Sequence, residues 1–265
     1  MHRTTRPPLP ATAPVVAVDL PGHGPGAHFP RSHRTPQGPE GIRTEPSTTA
    51  EVTSARFTDH VADVLRRTHR LGPVLPVGQS MGALTLNTVV NRVPERNSHR
   101  VYVSAVCPSA RATRQRLMTA PEAAGSAVFR LTVVPTPAER GVNRVNWRSG
   151  EPEFPQAARE GTAADRTDDE VRALLTIPES DEPAEIGAAD TGGLPESRGR
   201  IPRTGRRFAE DRTIPPEPSG PHDRGGRRAD PGEPLPGPVA GRSAHRSPRS
   251  GELELKQELV AGLCR

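Results

Sequence analysis

Short apolar runs recur along the first hundred residues and predict the strands of a sheet. Residues 15–18 form a mostly β-branched run without polar alternation, and Pro21 and Gly22 close it. A run of this kind is typical of a strand that is buried on both faces of a parallel sheet. Residues 74–77 and 101–106 are similar runs, so they predict two further strands.

Two helices are predicted between these strands. The first has apolar residues at i, i+4, i+7 and i+8, which mark one helical face: Phe57, Val61, Val64 and Leu65. Thr48 and Thr49 are its candidate caps, and Gly72 ends it. Residues 83–93 predict the second helix, which Pro94 ends. The alternation of strands and helices predicts an α/β fold, with a predominantly parallel sheet, flanking helices and right-handed crossovers.

The remaining chain divides by composition. In residues 109–186, helical pieces lie between prolines, which indicates a cap-like insertion that packs over the sheet. Residues 201–209 predict one more strand. We therefore expect an irregular lead (1–13), an α/β domain (14–215, with the insertion inside it) and a tail (216–265). The tail is rich in Pro, Gly and Arg and holds seven Leu, Ile, Val or Phe in 50 residues, so we expect it to be disordered.

Composition narrows the class of protein. The 265 residues include 32 Pro and 25 Gly and are 32% hydrophobic, which excludes a coiled coil or a membrane bundle. The two cysteines, Cys107 and Cys264, form neither a disulfide framework nor a zinc pattern. No apolar run is long enough for a membrane span or a signal-peptide core, so a cytoplasmic location is expected. No metal-ligand spacing or phosphate-binding loop is present, so neither metal nor cofactor is expected.

Basic residues are almost entirely arginine, since Lys256 is the only lysine among 36 basic residues. The formal net charge is +5, which leaves an arginine-rich nucleic-acid-binding protein as one hypothesis. However, 31 acidic residues are interleaved with the basic ones, and no clean positive stripe results. A GC-rich gene gives the same composition, so binding to nucleic acid is not expected.

One motif carries candidate chemistry. Residues 78–82 read Gly-Gln-Ser-Met-Gly, which matches the G-x-S-x-G nucleophile elbow between a strand and a helix. Such a turn holds the Ser80 hydroxyl at the carboxyl edge of the sheet, and its glycines avoid clashes with the neighbouring elements. The amide of Met81, at the start of the helix, could donate to a developing oxyanion. The alternative is an ordinary turn in which Ser80 caps the helix.

The chain resembles the α/β-hydrolase family over roughly residues 14–215. The resemblance rests on the run Asp-Leu-Pro-Gly-His-Gly at residues 19–24, followed 56 residues later by the elbow at Ser80. Within the family it resembles the branch of plant methylesterases and hydroxynitrile lyases. The resemblance implies a serine nucleophile at Ser80 and an orienting acid at Asp211, in the pattern E-D-x-x-x-P at residues 210–215. The alternative for Asp211 is a turn carboxylate paired with Arg212.

The resemblance also implies parts that this chain lacks or displaces. A catalytic histidine is expected about 25–35 residues after the acid and after a last strand. His222 follows Asp211 by only 11 residues, and His245, which follows it by 34, has no apolar strand before it. The family's front strand and its His-Gly loop, the source of a second oxyanion donor, have no counterpart in residues 1–13.

These departures keep two functional hypotheses open. The first is a serine hydrolase that cleaves a small carboxylic ester through an acyl-enzyme on Ser80. The second is a catalytically inactive relative, because Pro76 interrupts one expected strand and Arg206 and Arg207 place charges in another. The abrupt change after Pro215 also resembles translation of a GC-rich gene in another reading frame.

Overall fold

The computed structural model describes residues 15–27, 29–34, 39–97, 99–105, 124–131, 137–176, 179–189, 201, 203–206, 208 and 211–214. Within them the helices are α1 (Arg31–Arg34), α2 (Pro39–Thr44), α3 (Ser54–Thr68), α4 (Gly82–Arg92), α5 (Pro137–Arg140), α6 (Phe154–Thr162), α7 (Asp168–Leu174) and α8 (Ala184–Ala188). The strands are β1 (Val77–Gln79), β2 (Arg100–Val103), β3 (Val142–Arg144), β4 (Asp181–Pro183) and β5 (Arg203–Arg206). No described helix is both long and apolar enough to cross a membrane.

Three strands form a parallel sheet in the order β1-β2-β5, as the alternating pattern predicts. The strand β2 lies in the middle, and all four of its residues are buried. Along one row of the sheet, Gln79 pairs with Val103 and Val103 pairs with Arg206. The carboxyl ends of all three strands therefore meet at one edge. A separate antiparallel pair joins β3 to β4.

The long helix α4 forms the centre of the core because it buries side chains on two sides. One side packs against the sheet in a cluster made of Ala83, Leu86, Val90, Tyr102, Ala105 and Ile201. The other packs against α3 in a cluster made of Ala62, Leu65, Val89 and Val93. A helix between a sheet and a second helix needs apolar residues around much of its circumference, which the sequence of α4 supplies.

The ends of α3 differ in detail from the prediction. Thr53 caps α3, since its Oγ1 accepts a hydrogen bond from the amide of Arg56 at 3.3 Å. The predicted threonines instead lie in a preceding 3-10 turn, which Ser47 caps through the amide of Thr49 at 3.1 Å. At the other end, the chain turns away at Gly72 with φ of 134°, a conformation that glycine adopts without strain.

The predicted strand at residues 15–18 is wrong. These residues lie in no strand, no described residue pairs with them, and the side chains of Val15 and Val16 are 82% and 57% exposed. An apolar β-branched run becomes a strand only where a neighbouring strand accepts its backbone hydrogen bonds. On the described sheet β1 is an edge strand, and Val77 remains 39% exposed there.

Two features expected to disturb the sheet do not do so. The strand β1 begins at Val77, after Pro76, and shares only that residue with the strand predicted at 74–77, so Pro76 removes no bond from the β1–β2 ladder. The carbonyl of Pro76 accepts a hydrogen bond from the amide of Val101 at 3.0 Å. Arg206 is exposed, because β5 is the outer strand of the described sheet rather than a strand covered on both faces. The expectation of buried charges at this point is therefore wrong for Arg206, and Arg207 lies outside the described residues.

The proposed insertion, residues 109–186, contains α5, α6, α7 and the β3–β4 pair in its described part. The helix expected near residues 167–175 is α7, which begins with a capping box between Thr167 and Glu170. The β3–β4 pair was not predicted from the sequence. The lead at residues 1–13 and the tail at residues 216–265 lie outside the described residues.

Candidate active site

Ser80 occupies the tight turn between β1 and α4. Its φ is 48°, a value that few residues other than glycine adopt, and its side chain is exposed. The amide of Ser80 donates to the carbonyl of Val103 at 3.1 Å, which continues the β1–β2 ladder by one bond and anchors the turn to the middle strand. Strained backbone of this kind persists where surrounding contacts fix it, and it concentrates at functional sites.

The two glycines of the turn are not equivalent. A Cβ on Gly78 would lie 3.0 Å from the Cα and amide nitrogen of Ala83, so β1 and α4 approach each other too closely for a side chain. A Cβ on Gly82 would meet no atom within 4 Å. The clash expected from the motif therefore applies at Gly78 and not at Gly82.

Met81 connects the turn to the first turn of α4. Its amide donates to no acceptor among the described residues, and it lies at the positive end of the helix dipole. The Met81 side chain packs against the apolar cluster Val52, Phe57, Leu84 and Ile186, which Leu20 also contacts. An unpaired amide next to Ser80 is what the predicted oxyanion role requires.

Asp211 is 7% exposed and its carboxylate accepts three hydrogen bonds. The Oδ1 atom accepts from the amides of Thr213 and Ile214, each at 2.9 Å. The Oδ2 atom accepts from the hydroxyl of Ser104. Asp211 is therefore buried and fixed in orientation.

The alternative pairing of Asp211 with its neighbour Arg212 is not what the structure contains. The Nη1 atom of Arg212 lies 3.7 Å from Oε2 of Glu160 on α6, and the side chain of Arg212 is largely exposed. The carboxylate of Asp211 is held by neutral donors instead.

Sheet register places Ser80 and Asp211 at the same edge. Ser80 follows β1 directly, Ser104 follows β2 directly, and Asp211 comes five positions after the last residue of β5. Neighbouring strands lie about 4.8 Å apart, so the backbones of β1 and β5 are separated by about 10 Å. The two predicted site residues therefore flank the carboxyl end of β2, at the edge where open α/β sheets place their ligands.

The loop that carries Asp211 is attached to the insertion. The Thr213 hydroxyl donates to the carbonyl of Gly161 in α6. The backbone carbonyl of Thr213 accepts a hydrogen bond from the hydroxyl of Ser126 at 2.6 Å. The amide of Ala127 donates to the carbonyl of Arg212 at 2.7 Å. The position of Asp211 thus depends on the insertion as well as on the sheet.

The described histidines contact residues other than Asp211. His23, in the loop at residues 19–24, makes an edge contact with Phe57 at 5.7 Å between ring centroids, and its Nδ1 lies 3.3 Å from the carbonyl of Pro21. His99 is buried just before β2, at the opposite edge of the sheet, with its Nε2 2.9 Å from the Thr204 hydroxyl. Within the described ranges no histidine bonds to Asp211.

Both candidates for the catalytic base, His222 and His245, lie outside the described residues. Within the described part of the chain, no group of His, Cys, Asp or Glu side chains is arranged to hold a metal ion.

Ser104 is the site residue that the sequence did not reveal. The apolar pattern extends the predicted strand to residue 106, whereas β2 ends at Val103 and Ser104 has φ of 43°. A serine directly after the middle strand of a parallel sheet was the available signal, because that position lies between the two flanking loops.

Known proteins share this architecture. A family model of the alpha/beta hydrolase family matches residues 4–249. The chain is similar to a pyrethroid hydrolase from Sphingobium faniae, with 16% identity over 81% of this chain and 82% of that chain and a TM-score of 0.54. It is also similar to a mutant of polyneuridine aldehyde esterase, with 17% identity over 80% of this chain and 76% of that chain and a TM-score of 0.55. A third similar structure is an extracellular α/β-hydrolase from a Paenibacillus species, with 17% identity over 83% of each chain and a TM-score of 0.53. The comparison with curated proteins gives no match.

The solved structures, at identities this low, show that the fold is shared. The family model spans most of the chain and includes both the elbow at Ser80 and the loop at Asp211. The predicted α/β fold and the predicted family are therefore confirmed: the chain belongs to the alpha/beta hydrolase family.

Proposed function

We propose that the protein is a serine hydrolase that cleaves a small carboxylic ester through an acyl-enzyme on Ser80. The observation that carries this proposal is the exposed Ser80 side chain at φ of 48°, between a sheet strand and the N-terminus of a helix. Ser80 is presented at the surface, whereas the serine at the end of β2 is buried. Membership of a hydrolase family supports the reaction class.

The proposed reaction has two steps. The Ser80 oxygen attacks the ester carbonyl carbon while a base takes the hydroxyl proton, and the Met81 amide donates to the oxyanion that forms. The proton passes to the leaving alkoxide, the C–O bond to the alcohol breaks, and the acyl group remains on Ser80. Water then attacks the acyl carbon with the help of the same base, and carboxylate and free Ser80 result.

Asp211 is the proposed orienting acid. Its buried carboxylate would accept the N–H of the base and stabilise the imidazolium that forms during attack. The sequence does not place the base; His245 is a candidate by its distance along the chain from Asp211, and His222 is a weaker one. The assignment is tested by replacing each histidine with alanine and comparing kcat.

An apolar ester is favoured by the surroundings of the elbow. The Met81 side chain belongs to the same apolar cluster as Leu20 and Ile186, so the helix N-terminus is bordered by apolar side chains. The solved neighbours include proteins described as a pyrethroid hydrolase and an aldehyde esterase, which supports an ester as the substrate class.

The test uses the full chain with p-nitrophenyl acetate and butyrate as substrates, and a fluorophosphonate as a covalent probe. In the probe reaction the Ser80 oxygen bonds to phosphorus and fluoride leaves. Ser80→Ala should abolish labelling and lower kcat by at least about a thousandfold. Ser149→Ala, a serine of the insertion far along the chain from the elbow, is the matched control and should retain both. Equal hydrolysis by wild type and Ser80→Ala would rule out the proposal.

A catalytically inactive relative is the second candidate function. It is favoured by one observation: within the described residues, the Asp211 carboxylate is satisfied by Ser104, Thr213 and Ile214 without a histidine. This candidate predicts no hydrolysis and no labelling of Ser80 in a folded protein. Labelling of Ser80 that Ser80→Ala removes would exclude it.

A further inference from the structure

Ser104 takes no part in the bond changes of the proposed reaction, but its hydroxyl donates to the carboxylate of Asp211. It is 6% exposed and follows the middle strand β2, and its amide donates to the carbonyl of Arg206 at 2.8 Å. Its backbone is thereby paired to β5, the strand that leads to Asp211. The φ of 43° ends the side-chain alternation of β2 at this residue, and the hydroxyl reaches Oδ2 of Asp211.

We propose that Ser104 is a positioning residue that fixes the Asp211 carboxylate towards the middle of the sheet, on the side where Ser80 lies. This inference rests on the proposed function, because it assigns Asp211 the role of orienting acid. Two backbone amides fix Oδ1, so the Ser104 hydroxyl is the side-chain contact that sets the direction of Oδ2.

Hydrogen-bond capacity at Oδ2 leaves room for the catalytic base. A carboxylate oxygen accepts two hydrogen bonds, and Ser104 uses one position on Oδ2. The second position can accept the N–H of an imidazole. Because β2 separates β1 from β5, an imidazole bonded at this position would have to extend past the end of β2 to reach Ser80. Ser104 thus fixes the orientation of the Asp211 carboxylate, which then accepts the N–H of the base.

A purely structural role for Ser104 makes a different prediction. If the hydroxyl only satisfies a buried carboxylate, its loss would lower stability and leave turnover per folded molecule unchanged. If it positions the acid, its loss would lower kcat and leave KM unchanged, because the substrate does not contact it. The split between kcat and KM therefore separates the two roles.

The first measurement is amide hydrogen exchange in the full chain. In Ser104→Ala the amides of Thr213 and Ile214, which donate to Asp211, should exchange at least about tenfold faster than in wild type. Alanine keeps a Cβ at residue 104, so the positive φ is equally demanding in both proteins. Unchanged exchange at both amides would overturn the proposal whether or not the protein hydrolyses esters.

The second measurement is kcat for p-nitrophenyl butyrate per Ser80 labelled by the fluorophosphonate. Ser104→Ala should lower this kcat about tenfold at constant KM. It should have no further effect in the Asp211→Asn background, since Ser104 acts through Asp211. Ser180→Ala is the matched control, because the hydroxyl of this buried serine also donates to a buried carboxylate, that of Asp181, which has no role in the proposed site. It should change kcat by less than about threefold.

The outcomes separate the two proposals. Equal kcat per labelled site in wild type and Ser104→Ala overturns the role of Ser104 while the serine hydrolase stands. A fall that persists in the Asp211→Asn background also overturns it. Wild-type protein that is neither labelled nor active overturns the proposed function, and unchanged exchange at Thr213 and Ile214 in Ser104→Ala would still overturn the role of Ser104 independently.

Discussion

Arg144 and Asp181 form an ion pair in which each side chain is 1% exposed. The guanidinium donates to both carboxylate oxygens, with Nε to Oδ1 at 2.6 Å and Nη2 to Oδ2 at 2.7 Å. The remaining nitrogen, Nη1, donates to the carbonyls of Ile42 and Glu45. The pair therefore joins β3 to β4 and joins both strands to the C-terminal end of α2.

Loss of the carboxylate should destabilise the protein strongly. Asp181→Asn leaves the guanidinium of Arg144 buried without its counter-charge, and we expect a loss of about 3–5 kcal/mol in the free energy of unfolding, measured in urea. The control is Asp169→Asn, which breaks the exposed pair with Arg172 and should cost less than about 1 kcal/mol. Similar small losses in both variants would contradict the structure.

Glu45 should make stability depend on pH in the acidic range. A hydrogen bond from the Ser32 hydroxyl, the backbone amides of Ser32 and Arg31 and the charge of Arg144 outweigh desolvation and lower the pKa of Glu45 from 4.5 to about 2. The ionised form is favoured in the folded protein, so its contribution is present above pH 4.5 and is lost as the pH falls towards 2.

Urea unfolding at several pH values tests the role of Glu45. Because Glu45 is partly solvent-accessible, we expect a contribution of about 1–2 kcal/mol after screening. The stability difference between wild type and Glu45→Gln should shrink from pH 5 to pH 2.5. A constant difference over this range would show that Glu45 is not held in its charged form.

His99 should act in a separate pH window. Burial, with a smaller contribution from the charge of Arg100, lowers the pKa of His99 below 6.5. The folded protein therefore favours neutral imidazole, so this stabilisation is present above pH 6.5 and is lost as the pH falls through the lowered pKa. Urea midpoints should fall between pH 7.5 and pH 5.5 in wild type and less so in His99→Gln, whose amide is neutral at both. Equal changes of the urea midpoint with pH in wild type and His99→Gln would contradict the prediction.

The elbow should tolerate alanine at one glycine and not at the other. In Gly78→Ala the new Cβ would lie 3.0 Å from backbone atoms of Ala83, which cannot move without separating α4 from β1. We expect a loss of about 1–3 kcal/mol in stability and a lower kcat, since Ser80 is displaced. Gly82→Ala adds a methyl group in open space and should be within about 0.5 kcal/mol of wild type. Equal losses of stability in Gly78→Ala and Gly82→Ala would contradict the close approach of β1 to α4 at Gly78.

The sequence predicts elements whose signals are local. The G-x-S-x-G motif and the apolar face of α4 are both read from consecutive residues, and the structure has a strand, a tight turn and a helix at those positions. The strand at residues 15–18 failed because its formation depends on a partner elsewhere in the chain. Local apolar pattern does not report whether such a partner is present.

The β3–β4 pair was missed for a different reason. The strand β4 reads Asp-Glu-Pro, which has no apolar alternation, and Asp181 is buried only because Arg144 neutralises it. Similarly, the contact between Ser104 and Asp211 spans 107 positions and depends on the register of three strands. Neither relationship can be derived from the residues near it in the chain.

The attachment of α6 to the segment that carries Asp211 limits which parts of the chain could be exchanged for those of a relative. Gly161 contributes its carbonyl to Thr213, and a Cβ on it would lie 3.3 Å from the Cβ of Ala127. A graft that exchanged all of residues 109–186, α6 included, would therefore release the segment that carries Asp211. Exchange of the β3–β4 pair alone, with α6 kept, would retain the bonds between α6 and this segment and leave the acid in place.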